Sequence, residues 1–312
     1  MSNDRTEPQQ GPLIMTPFSF SGSGPTFTFL RPGTGAARHP LFRRGARSAF
    51  FILHSSFFSV LVLLAAPCAL AGPPFITDDP EPVDYQHWEF YVASQDARLA
   101  GDWSGTGPHF EVNYGVAPDV QLHLITPIAY DSPPAGAAHY AYGDTEIGVK
   151  YRFLQETNGW PQAGIFPLVE APTGSESANL GNGHWQAFLP LWLQKSWGSW
   201  TVYGGGGYGV NSFSGRQNWE FVGAVLQKQV RPNLAIGAEV YHQTAYQTDF
   251  PNEGTAFNVG AVYDFSEHQH LLISAGTALD GPVDFQCYLA WQFTFDNSLF
   301  HFWTHGRGAN PP

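Results

Sequence analysis

Asp144, Glu146, Lys150 and Arg152 occupy every second position of the stretch YGDTEIGVKYRF (142–153), with Gly148 interrupting the series. Thr145, Ile147, Val149, Tyr151 and Phe153 fill the positions between them. Side chains that alternate in this way point to opposite faces of a β-strand. Four ionisable groups of both signs therefore share one face, and an apolar row occupies the other. Charges fixed along one face attract counter-ions, orient a polar solute or neutralise one another as ion pairs. Glu89, Glu111, Glu220, Lys228, Glu239, Asp264 and Asp284 stand in similar alternating runs elsewhere in the chain. Taken together, these eleven residues are the candidate lining of a polar interior. Their acidic excess predicts a conduit that favours cations or neutral polar solutes. The same groups would instead fill a narrow interior if they paired with one another, and the sequence supports both outcomes.

The elements that must carry these residues read as strand, turn, strand. About twelve candidate strands cover roughly 87–97, 106–114, 119–128, 143–153, 162–170, 185–195, 199–210, 218–228, 234–244, 256–265, 270–278 and 284–295. Most exceed the usual soluble strand of about 5–6 residues and suit a tilted membrane-spanning strand of about 9–11. In HFEVNYG, Phe110, Val112 and Tyr114 alternate with His109, Glu111 and Asn113; in DFQCYLAWQFTF, six apolar residues oppose Asp284, Gln286 and Gln292. HWQAFLPLWLQK (184–195) is the exception, apolar on both faces. The connections at 129–142, 171–184 and 245–255 are long, whereas GVAP, SWGS, QVRPN and SEHQ are tight turns. Long loops at one end and short turns at the other predict an all-β fold, a closed antiparallel transmembrane β-barrel with its polar face inward. Closure is required because hydrocarbon offers no partner to an open strand edge. Trp88, Tyr91, Tyr114, Tyr151, Trp185, Trp200, Trp219 and Phe295 fall near strand ends, where aromatic girdles are expected. The run YGGGGYGV (203–210) permits bending or the close approach of an inward segment.

Composition agrees with a membrane β protein. Only 13% of residues are charged, against about a quarter in soluble domains, and 15% are aromatic. Arg43, Arg44 and Arg47 precede an apolar stretch, Phe57 to Ala66, and Ala69-Leu70-Ala71 fits a small-residue cleavage site. Residues 43–71 are therefore read as a signal peptide, although an uncleaved anchor, interrupted by His54, Ser55 and Ser56, is the alternative. Pro67 before Cys68 argues against a lipoprotein site. Residues 1–42 are either a disordered extension or the result of a start site placed upstream of the true one. Residues 72–86 form an extended periplasmic segment, 87–295 the barrel and 296–312 a tail. Residues 72–312 carry 24 acidic and 8 basic side chains, which excludes nucleic acid as a partner. Cys287 alone remains after cleavage, so no internal disulfide forms. The expected partners are outer-membrane lipid, a small-molecule solute and the barrel-assembly machinery, in the outer membrane of a Gram-negative bacterium.

Other chemistry has weaker support. Asp78 and Asp79 in TDDP offer two carboxylates, but no ladder of further calcium ligands follows, and a solvated turn is the simpler reading. His268 and His270 lie in a turn without further ligands. His184 with Ser196, or His242 with a loop serine, would give the nucleophile–base pair of a membrane hydrolase. No GxSxG elbow occurs, twelve histidines make chance pairs common, and the chain is read as a non-enzyme without a cofactor. A passive structural or adhesive barrel is a third reading.

FITDDPEP followed by HWEF, YGDTEIGVKYRF, PLVEAPTGS, WTVYGGGGYGVN and the closing YLAWQFTF occur in this order over residues 73–295. In order and completeness they resemble the outer-membrane family labelled "MetA-pathway of phenol degradation". The resemblance implies a barrel and the uptake of small, including aromatic, molecules. The tail DNSLFHFWTHGRGANPP and the N-terminal extension depart from it.

Overall fold

The computed structural model describes residues 74–99, 101–211, 213–248 and 252–298. The signal peptide, the preceding extension and nearly all of the tail expected from sequence lie outside the described residues. Fourteen strand segments form one sheet. They are β1 (His87–Leu99), β2 (Asp102–Ala117), β3 (Val120–Ser132), β4 (His139–Tyr142), β5 (Thr145–Leu154), β6 (Gln162–Ile165), β7 (Leu168–Ala171), β8 (Gln186–Trp197), β9 (Trp200–Val210), β10 (Trp219–Arg231), β11 (Leu234–Gln243), β12 (Gly254–Ser266), β13 (Gln269–Asp280) and β14 (Val283–Asp296).

Both β4 and β5 pair with β3, and both β6 and β7 lie between β5 and β8. Each pair is one broken strand, interrupted at Gly143-Asp144 and at Phe166-Pro167. Proline cannot donate to a strand ladder, so Pro167 supplies one of the breaks. The segments thus make a closed antiparallel barrel of twelve strands, sealed where β1 pairs with β14 from His87↔Asp296 to Leu99↔Val283. The strand count and alternation read from sequence hold.

One end of the barrel carries the start of β1, the end of β14 and tight turns such as 118–119, 198–199, 232–233 and 267–268. The other, the loop end, carries 172–185, 211–218 and 244–253, together with tight turns at 100–101 and 281–282. The stretch 129–142, expected to be a long loop, is mostly strand. β3 and β4 pair there from Ile128↔Tyr142 to Asp131↔His139, and only 133–138 loops.

The outer face is apolar. Leu122, Ile147, Leu191, Val240 and Val259 are all exposed, whereas their neighbours Gln121, Glu146, Trp192, Glu239 and Asn258 are buried inside. Trp88 stacks on Tyr114 at 4.2 Å near the tight-turn end, and Trp185, Trp200 and Tyr151 are exposed, as expected of girdle positions. Tyr91 and Trp219 depart from that expectation. Both face inward and are buried, because each shares the strand parity of its inward neighbours.

Candidate functional site: a floored chamber inside the barrel

Residues 74–86 do not lie outside the barrel, as the sequence reading placed them. They thread into its interior from the tight-turn end. Gln86 donates its N–H to the Gly115 carbonyl at 2.7 Å, and the Val83 N–H donates to Gln121 Oε1 at 2.9 Å. Glu81 accepts hydrogen bonds from Gln162 and Gln194, each at 3.2 Å, with Arg152 Nη1 at 3.6 Å. Lys150 Nζ donates to Asp78 Oδ1 at 3.1 Å and stands 4.0 Å from Asp79. Thr77 and Asp79 are fully buried. Asp78 and Asp79 therefore make neither a solvated turn nor a cation site; they meet a lysine from the barrel wall. Burial pushes the Asp79 carboxyl well above its usual range, and the Lys150 charge opposes that shift.

Glu239 makes the central contact. Its Oε1 accepts the Thr77 N–H at 2.5 Å and its Oε2 accepts the Ile76 N–H at 3.2 Å, while Asn258 Nδ2 donates to Oε2 at 2.6 Å. A buried extended segment has backbone donors that must be satisfied, and a carboxylate satisfies two of them strongly. Beyond it, Ser274 Oγ donates to the Pro74 carbonyl at 2.5 Å. Wall glycines make room for the thread, most tightly at Gly115 and Gly223. A Cβ on Gly115 would lie 1.9 Å from the Asp84 carbonyl oxygen, and one on Gly223 would lie 1.9 Å from Thr77 Oγ1.

Pro74, Phe75, Ile76 and Asp78 form the floor of a chamber of ≈ 1170 Å³, its open mouth included. One wall is polar. Asn113 Nδ2 donates to Glu111 Oε1 at 2.8 Å. His123 Nδ1 lies 2.7 Å from Asn113 Oδ1, and its Nε2 lies 3.0 Å from Glu146 Oε1. Both ring nitrogens face acceptors, the pattern of a ring that donates from both. The opposite wall is apolar, with Phe166, Leu168, Phe188 and Trp192. Phe188 and Trp192 are the inward residues of β8, so its two-faced apolarity, the exception in the sequence pattern, is one lipid-facing row plus one chamber wall. Inward Gly205 and Gly207 of β9 leave the space their rings occupy, since a Cβ there would lie 2.9 Å from Trp192 and 2.6 Å from Phe188. The glycine run thus admits aromatic rings, whereas the threaded segment is admitted by Gly115 and Gly223.

The eleven candidate residues separate into groups. Glu89, Glu111, Glu146, Lys150, Arg152, Glu239 and Asp264 face inward. Glu89 accepts from the Tyr91 hydroxyl at 2.7 Å, and Arg152 donates to Asp119 at 2.7 and 2.9 Å. Asp264 lies 2.7 Å from His270 Nδ1 near the tight-turn end. Asp144, at the break between β4 and β5, is spent on a loop. It accepts the N–H groups of Gly174 at 2.8 Å and Asn182 at 2.7 Å, folding 172–185 so that Leu180 is buried. Glu220 and Lys228 point outward, since β10 turns Phe221 and Val225 inward and both have the opposite parity. Lys228 Nζ sits 4.6 Å from the centre of the outer Trp200 ring. Asp284 is at the loop-end rim, where the β1–β14 register slips between Phe285 and Val283, and it accepts from the Gly101 N–H at 3.3 Å. In each case strand parity or a local register shift, which a single run of alternation does not disclose, decides the direction.

Among the described residues the proposed Ser–His pairs are not assembled. His184 packs against Phe213 with ring centres 4.1 Å apart and the planes tilted, while Ser196 lies at the far end of β8 beside Thr201. His242 bonds to Thr255. Among the described residues, no three His, Cys, Asp or Glu side chains converge in a way that would hold a metal.

The architecture is that of a closed barrel with an apolar exterior and a polar, partly occupied interior. Its fold matches the crystal structure of the COG4313 outer membrane channel from Pseudomonas putida F1, with a TM-score of 0.60 and 18% identity over 70% of this chain and 98% of that one. The translocator domain of the autotransporter NalP from Neisseria meningitidis aligns with a TM-score of 0.43 and 9% identity, over 67% of this chain and 87% of that one. No family model and no curated protein matches the chain. At these identities the likeness is one of fold.

Proposed function

We propose that the protein is an outer-membrane channel that passes small molecules between its loop end, facing outside, and its tight-turn end, facing the periplasm. The observation that carries this reading is the pairing of an apolar outer belt with a polar interior that keeps a chamber open above the threaded segment. A transmembrane barrel inverts the soluble pattern in this way because lipid, not water, surrounds it. The ordered motifs that resemble the "MetA-pathway of phenol degradation" family support uptake of small aromatic or hydrophobic compounds. The apolar wall of Phe166, Phe188 and Trp192 is consistent with such solutes.

Planar-bilayer recording of the full chain, extracted in detergent from a Gram-negative expression host, tests the reading. Discrete conductance steps are the expected result. A heat-modifiable barrel that never conducts would support the second reading that residues 74–86 favour, a barrel held shut and serving a structural or adhesive role. A chain that folds without detergent would remove it from the membrane altogether.

A further inference from the structure

We propose that the chamber is a binding site for a primary organic ammonium with an apolar body, held at Glu146. The inference rests on the channel reading and names the solute class that the chamber selects.

Glu146 is buried on β5, and its Oε1 is taken by His123 at 3.0 Å. Its Oε2 has no partner although it is fully enclosed. A buried carboxylate oxygen left in this state is costly, and a donor entering from the chamber relieves that cost. The charges around it fix the sign of the donor. Glu111 and Glu146 flank a doubly donating His123, at 3.6 and 3.0 Å, so two carboxyl groups share one imidazole. Lys150, the cation on the wall beside the floor, is already engaged by Asp78. A cation is therefore stabilised in this space, and an anion is repelled by Glu111, Glu146 and Asp78, which all line it.

The remaining walls match the rest of such a molecule. Ile76, Ile125, Phe166, Leu168, Phe188 and Trp192 surround the space beside Glu146. Aromatic faces attract cations, and the chamber already shows this contact, with Lys150 Nζ 4.8 Å from the Phe166 ring centre. Two further enclosed atoms, His109 Nε2 and Trp192 Nε1, also lack partners and offer places for a second polar group or a bridging water. A second small space, lined by Glu146, Glu170, Phe188 and Trp219, adjoins the first at Glu146 and repeats its acidic and aromatic character.

Isothermal titration of the detergent-solubilised full chain with benzylammonium, benzyl alcohol and benzoate tests the proposal, because the three probes share a body and differ in charge. Benzylammonium should bind at least tenfold more tightly than either of the others. Glu146→Gln should weaken benzylammonium at least tenfold and leave benzyl alcohol within twofold. Equal binding of benzyl alcohol or benzoate, no binding of any probe, or an unchanged benzylammonium affinity in a folded Glu146→Gln variant overturns the proposal. The probe comparison uses the unaltered chain and so stands even if the variant does not fold. Conductance in bilayers is read separately. A chain that conducts but ignores benzylammonium loses only this inference, and one that binds it but never conducts loses only the channel reading.

Discussion

Glu239, on the barrel wall, accepts the backbone N–H of Thr77 from 162 residues away in sequence, and its second oxygen accepts the neighbouring N–H of Ile76. Both N–H groups belong to the backbone, so the contact holds the main chain of the threaded segment in place. Hydrogen bonds to a charged group contribute about 1.5–3 kcal/mol each. Two such bonds sum to about 3–6 kcal/mol, so Glu239→Ala should shift the equilibrium between threaded and released segment by roughly a hundred- to ten-thousandfold, since each ~1.4 kcal/mol is tenfold. Single-channel recording should show a correspondingly larger open fraction. Protease added at the tight-turn end should cut within 74–86 in the variant and spare the parent.

Gly223 makes an independent test of the same segment, because the change is made in the wall and removes no hydrogen bond. A Cβ there would sit 1.9 Å from Thr77 Oγ1 and 3.1 Å from Thr77 Cβ. Gly223→Ala should displace the segment and raise the open fraction. Adding Thr77→Gly removes the two opposing atoms of the segment, leaving Phe221 Cζ at 3.1 Å, and should return the recording toward the parent's. Failure of the double variant to return toward the parent would show that Gly223 acts through β10 itself.

Strand alternation made the barrel legible in sequence, because period-two patterning survives in most of the long strands. Inward direction was legible for Glu146, Lys150 and Glu239, which sit mid-strand in regular register. It was not legible for Glu220 and Lys228, whose segment alternates apolar residues on both faces and leaves parity undetermined. Asp284 was lost to a register slip at the rim. The threaded segment was the larger omission. FITDDPEP reads as an irregular lead-in, and nothing local states that Thr77 and Asp79 are fully buried. Two signals were present. Gly148 interrupts the charged row of β5 where a Cβ would strike Leu168 at 2.5 Å and Phe166 at 2.8 Å, and β8 was apolar on both faces. Both mark places where the interior is occupied by something other than water.

Lys150 is the counter-charge that offsets part of the cost of burying the Asp79 carboxyl inside the barrel. Burial raises the Asp79 carboxyl, and Lys150 is the foremost influence lowering it. With a raised pKa in the threaded state, Asp79 contributes to threading fully at low pH. That contribution is lost as pH rises through the raised value. Lys150→Met removes the opposing charge and raises the Asp79 carboxyl further, so threading should then depend more strongly on protonation of Asp79. The open fraction of this variant should rise with pH from the ordinary aspartate range up to the raised value, and Lys150→Met/Asp79→Asn should abolish the dependence. A Lys150→Met channel with a flat pH profile would show that the segment is held without regard to this charge.

The membrane placement of the barrel can be tested by depth. Leu191 and Leu279 both face outward and are exposed, by 46% and 64%. Leu191 lies in the middle of β8, opposite Ile165 and Gly206, whereas Leu279 lies next to the turn at 281–282. An arginine at the bilayer midplane costs about 2–4 kcal/mol, falling to about 0–1 near the interface. Leu191→Arg should therefore reduce the yield of heat-modifiable barrel folded into lipid vesicles, with a loss of stability near that larger figure in denaturant titration. Leu279→Arg should fold nearly as well as the parent. In water a surface arginine at either site costs little, so equal tolerance of the two substitutions would mean that Leu191 faces solvent and that the apolar belt is covered by something other than lipid.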